Sequence, residues 1–224
     1  MNRKTSTLIA VLVAAAASTT FTGRANAQAW HYPAFQLPEV STREFNFAVA
    51  GGGDYGTTGL VQWREGIGPD THIGFDLGFA SPSGGSTGFL IGAGIGQQLV
   101  RSSQDMPIDL MLTGGLYGDF SSDVGFLRIP IGVVAGHKFP LQHGMALTPY
   151  AAPRLSIDAC VSSCHPNGGD IGTNANVNFD VGLNWDINTI LALRGALTVG
   201  AVGNGPSQTG FGFGLAFHPA TIRH

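Results

Sequence analysis

From Glu44 onward apolar and polar residues alternate with period two, broken at short intervals by glycine, proline, asparagine and serine. The clearest stretch runs from Asn174 to Ile187. Ala175, Val177, Phe179, Val181, Leu183, Trp185 and Ile187 fall on one face, and Asn174, Asn176, Asn178, Asp180, Gly182, Asn184 and Asp186 on the other. A helix of period 3.6 would mix these two sets, whereas a strand keeps them apart. The same alternation predicts about ten strands, near 43–50, 58–65, 70–80, 87–100, 107–119, 123–136, 144–158, 173–187, 188–201 and 208–217. Eight or twelve strands also fit the pattern. Pro149 and Pro153 share a face of one strand, and since proline cannot donate to a ladder, a bulge is expected there.

Residues 1–27 read as a secretory signal peptide. Asn2-Arg3-Lys4 is a basic head, Thr7 to Ala17 an apolar run too short to span a bilayer, and Ala25-Asn26-Ala27 a cleavage site. Segment 28–42, with Pro33 and Pro38, reads as an extended leader on the periplasmic side, preferably disordered. A plug at the barrel mouth, or a contact with a partner, through Trp30, Tyr32 and Phe35 is the other option. Residues 218–224 follow as a tail.

Composition narrows the class. Only 11% of residues are charged, against about 25% in an ordinary soluble domain, and 34 of the 224 are glycine. Cleavage after Ala27 removes Arg3, Lys4 and Arg24 and no acid, taking the formal net charge from −3 to −6. That balance argues against nucleic acid as a partner. An exported, charge-poor chain without a spanning apolar helix has one economical use for its greasy face: it closes a sheet into a barrel and turns that face to lipid. The expectation is therefore an all-β fold, a closed antiparallel transmembrane β-barrel over 43–217.

Alternation alone leaves open a soluble ligand-binding barrel, in which the apolar set would line a cavity. Charge economy favours the membrane, because a water-facing set would need more than the single lysine (Lys138) and three glutamates of the mature chain. The polar faces then point inward and carry Arg64, His72, Asp76, Asp109, Arg128, Arg154, Asp180 and Arg194. Four arginines against three aspartates near mid-height predict a paired lumen network rather than a wide channel, since unpaired buried charge is costly. Gly92, Gly94 and Gly96 would leave space for long side chains such as Arg128 or Arg154. Aromatics fall at both ends of the apolar faces, Phe45, Trp63, Trp185 and Phe217 at one and Phe79, Phe89 and Phe211 at the other, as two interfacial girdles would. If the chain starts in the periplasm, its longest connection, 159–172, lies outside the cell.

With this pattern, the signal peptide and the closing strand Gly210-Phe211-Gly212-Phe213-Gly214-Leu215-Ala216-Phe217, the chain resembles the small outer-membrane β-barrel proteins of Gram-negative bacteria, OmpA/OmpX-like and porin-like. The resemblance covers nearly all of the mature chain. It implies an outer-membrane location, contact with outer-membrane lipids, and recognition of the terminal aromatic, here Phe217, by the barrel-assembly machinery. His218 to His224 extend past that aromatic, unlike the usual family ending.

Candidate chemistry is sparse. Cys160 and Cys164 in the longest connection are expected to form a disulfide in an oxidising compartment. A metal site with His165 and Asp170 lacks a second ligand pair at zinc spacing. Ser83, Ser121, Ser122 or Ser162 with His165 and Asp123 could be imagined as a lipid-hydrolase triad, but no spacing joins them. Gly51-Gly52-Gly53-Asp54-Tyr55-Gly56 precedes no helix, so it reads as a hairpin rather than a phosphate loop. No enzyme, cofactor or metal is expected. The expected role is structural or interactive, with a narrow porin for small solutes or ions as the alternative.

Overall fold

The computed structural model describes residues 33–52, 56–81, 86–122, 125–162, 173–202 and 209–219. Their backbone forms ten long antiparallel strands: β1 (Arg43–Gly51), β2 (Thr57–Gly66), β3 (Thr71–Ser81), β4 (Gly88–Val100), β5 (Asp109–Phe120), β6 (Gly125–Gly136), β7 (Ala146–Ser162), β8 (Thr173–Asp186), β9 (Leu191–Val202) and β10 (Gly210–Phe217). Each strand pairs with its neighbours in sequence, and β1 pairs with β10, so the sheet closes on itself. Phe139–Pro140 adds a two-residue pairing to the start of β7.

The strands are strongly staggered. Followed one way round from Asn46, the register runs through Gln62, Asp76, Gly92, Tyr117, Arg128 and Asp158 to Asn174. Followed the other way, it runs through Ala216 and Ala192 to Asp186. The two paths reach β8 twelve positions apart, which requires strands well tilted to the barrel axis.

The apolar face lies outside. Phe47, Phe79, Ile95, Leu116, Ile131, Leu155, Leu197 and Phe213 are all exposed, Phe79 at 60% and Phe213 at 63%. Among the described residues, outward strand positions carry charge only at Arg43 and Glu65, which pair with each other (2.6 Å) at the edge of the barrel nearest the termini. The polar face lies inside: Glu44, Asn46, Gln62, Arg64, Asp76, Arg128, Asp180 and Arg194 are buried. This inversion of a soluble protein is what hydrocarbon demands of a spanning barrel. A water-soluble barrel with an apolar pocket would need the opposite arrangement.

Three local expectations change. The turn between β8 and β9 is Ile187–Ile190, with the Asn188 side chain accepting from the amides of Ile190 (2.8 Å) and Leu191 (2.9 Å), so β9 starts at Leu191 rather than at 188. β7 runs on to Ser162, past the expected end at 158. It does not bulge at its prolines: Pro149 and Pro153 stay in register with Leu183 and Phe179 of β8. On the β6 side the register is unchanged from Gly132–Arg154 to Ala135–Ala151, and only the two rungs between them are missing. Proline here removes ladder bonds without displacing the strand.

Candidate functional site

A ten-stranded barrel is slightly wider than its own side chains fill, and the lumen shows how the space is taken up. Four arginines each meet one carboxylate. Arg194 grips Glu44 with both terminal nitrogens (2.6 Å each), Arg64 reaches Asp76 (2.5 Å), Arg154 reaches Asp180 (2.6 Å), and Arg128 holds both oxygens of Asp158 (2.5 and 2.6 Å). Amides and hydroxyls complete the set. Asn46 donates to Gln62 and Gln62 to Asp76 (2.7 and 2.8 Å), Asn176 donates to Asp158 (2.5 Å), and Thr198 donates to Asp180. Arg194 also donates to Asn184 (2.9 Å), which donates to Asp186 (2.6 Å). Each of the eight charges in these pairs therefore has an opposite charge at contact distance, the condition under which burial is tolerable.

All eight polar residues singled out in the sequence lie on this inner side. Arg64, Asp76, Arg128, Arg154, Asp180 and Arg194 join the ion pairs. Asp109 stands apart near the terminal end, accepting from the Ser102 amide (2.8 Å). His72 turns to the N-terminal segment, described below. The sequence reading passed over Glu44 and Asp158, the partners of two arginines. Glu44 adjoins Phe45, which falls on the apolar face, and Asp158 shares the parity of Arg154, so strict alternation to the strand ends finds both.

Glycines on the inner wall set where large side chains lie. A Cβ at Gly92 or Gly94 would collide with Tyr117, one at Gly96 with His72 and Met111, and one at Gly182 with Tyr150. The space at Gly92, Gly94 and Gly96 is thus taken by Tyr117 and His72, not by Arg128 or Arg154. The arginine stems use other glycines, Arg64 at Gly74 and Arg154 at Gly132.

The main departure from expectation concerns residues 33–42. Instead of standing off as a disordered leader, this segment lies inside the barrel. Phe35 is 2% exposed, with its ring over Gly212, and Pro33 and Pro38 are fully buried. Polar bonds fix its backbone to four different strands. Tyr150 Oη donates to Ala34 O (3.1 Å), Arg194 to Phe35 O (3.4 Å), and Gln98 Nε2 to Pro38 O (2.9 Å). The amide of Val40 donates to Gln98 Oε1 (3.1 Å) and that of Ser41 to His72 Nδ1 (3.3 Å). The Gln36 side chain lies 3.2 Å from His72 Nε2 and accepts from Arg64 (3.4 Å). The cause is volume. Inward positions on one side are small (Ala48, Ala50, Ala152, Ala196, Gly212), and one phenylalanine buried there contributes about 1.5–3 kcal/mol. Alternation cannot reveal this, because a segment held by the lumen has no period of its own. Burial at the barrel mouth also raises the pKa of Glu39 above the usual carboxylate range, against the lowering pull of Lys138.

A cavity of about 70 Å³ lies between this segment and the wall. The outer aromatics form rows across strands. Phe217, Phe45, Trp63 and Phe75 are successive partners near the terminal end, with Trp185 on the same edge, and Phe79, Phe89 and Phe120 are successive partners near the other. Phe211 lies on that second edge, opposite Gly51. Trp63 stacks on Phe75 at 5.5 Å. Cys160 is buried near the outer end of β7, while Cys164, Trp30, Tyr32, Ser83, Asp123, His165 and Asp170 lie outside the described residues.

No known protein family matches the chain, and no characterised protein matches it in sequence. Among solved structures it is similar to a bacterial polysaccharide outer membrane secretin, at 11% identity and a TM-score of 0.46 over 77% of this chain and 57% of that one. It is also similar to a KdgM porin (8% identity, TM-score 0.37, 78% of this chain and 98% of that one). A third is the outer membrane phospholipase A from Escherichia coli (10%, 0.34, 79% and 92%). The chain thus spans little more than half of the secretin chain, and similarity at this level carries no argument about activity.

Proposed function

We propose that this chain is an integral outer-membrane β-barrel with a structural or interactive role, exported by its signal peptide and cleaved after Ala27. Its lumen is closed by its own side chains and by residues 33–42, and it acts neither as a diffusion pore nor as an enzyme. The supporting observation is the filled interior: four arginine–carboxylate pairs and a buried Phe35 occupy the path that a solute would take. Lipids contact the outer face, the assembly machinery reads the last strand, and the loops opposite the termini face the exterior and present the surface for any ligand. Silence of the intact protein in planar bilayers, with a heat-modifiable band in outer-membrane fractions, is the expected result. Steady conductance steps from the intact chain would favour the porin reading.

Cys160 lies among the last residues of β7 rather than in the connection expected for it, and on this reading it closes a small disulfide with Cys164 just beyond the strand. Native protein should then show no titratable thiol, and two after reduction. Two thiols without reductant would contradict it.

A further inference from the structure

We propose that the lumen cavity beside Arg128 is a binding site for a small monovalent anion of halide size. Three arginines, Arg64, Arg128 and Arg154, line this cavity with a single acidic residue, Asp76. That carboxylate is already engaged, with Oδ1 on Arg64 and Oδ2 on Gln62. Asp158 and Asp180 contact their arginines but are not part of the cavity lining, so the surface facing the space carries an excess of positive charge.

Arg128 supplies the specific donor. It presents Nε and Nη2 to Asp158, is itself only 3% exposed, and leaves Nη1 buried without a hydrogen-bond partner. A guanidinium N–H left unsatisfied in a low-dielectric interior is costly, and an acceptor in the adjoining space removes that cost. About 70 Å³ is well below the several hundred cubic ångströms of pockets that take larger organic ligands, which suits a small ion rather than a sugar, nucleotide or peptide. An anion offers the unpartnered guanidinium N–H a full charge where water offers only a dipole, and screening is weak there.

The probe is bromide. Crystals of the full chain in roughly 0.15 M bromide, a physiological ionic strength, should give an anomalous peak in the cavity within hydrogen-bond distance of Arg128 Nη1. In detergent solution, the chloride NMR line should broaden on adding protein. Thr113→Leu fills the cavity from β5 while leaving all four ion pairs, and should abolish both signals. If that variant fails to assemble, Arg128→Lys keeps the charge opposite Asp158 but removes Nη1, and should do the same. Ordered water alone in the cavity overturns the proposal. So does a bromide peak without line broadening in solution, or a peak that survives both substitutions.

Discussion

Deleting Pro33 to Val40 converts the silent barrel into one that passes current in planar bilayers. The deletion removes the Phe35 ring from its seat over Gly212, releases Tyr150, Gln98 and Arg194 from the backbone they now hold, and takes the Gln36 side chain away from His72. None of the four ion pairs depends on the segment, so the wall should survive while the bore is vacated. Phe35→Ala tests the same idea more gently. Truncating a fully buried phenylalanine costs about 3–5 kcal/mol, enough to shift a docked segment to one that leaves and returns. Brief openings from Phe35→Ala and sustained ones from the deletion are the expected pair of traces. A deletion variant that assembles, is heat-modifiable and stays silent would show that the wall alone closes the lumen.

Arg128→Ala is the substitution expected to cost most stability. Arg128 and Asp158 are each 3% exposed and joined by two bonds, so removing the guanidinium strands a carboxylate in the lumen. A loss of about 3–5 kcal/mol is expected from urea unfolding in lipid vesicles. The double substitution Arg128→Met with Asp158→Leu should recover most of that loss, because it buries no charge at all. Arg43→Ala breaks an exposed pair with Glu65 and should not move the midpoint measurably. Equal losses from Arg128→Ala and the double variant would mean that the pair contributes shape rather than charge compensation.

The outer surface was legible in the sequence because a strand facing lipid permits only one kind of residue at every second position. Phe179, Val181, Leu183 and Trp185 could be assigned to one face from parity alone, and the same parity carries Asp180 and Asn184 inward. Closure between Phe45 and Phe217 follows once each strand needs two neighbours. Parity does not encode distances, so it could not tell which carboxylate each arginine meets. Arg194 finds Glu44 across the closing strand, 150 positions away in sequence. Parity hides the place of segment 33–42 for a related reason. Its two prolines resemble a linker, and only the shape of the assembled lumen shows that the same rigidity suits a filler. The glycines do mark space, but their tenants follow from strand register, which sets Tyr117 opposite Gly92 and His72 opposite Gly96 and which the linear order hides.

Spin labels placed singly at Phe179, Leu183 and Asn184 in protein reconstituted into lipid vesicles test the membrane assignment most directly. Labels at Phe179 and Leu183 should be readily relaxed by oxygen, which concentrates in hydrocarbon, and protected from a water-soluble nickel chelate. The label at Asn184 should report tight packing and little contact with either. Crowded, oxygen-poor environments at Phe179 and Leu183 would put those side chains inside the protein and contradict the account.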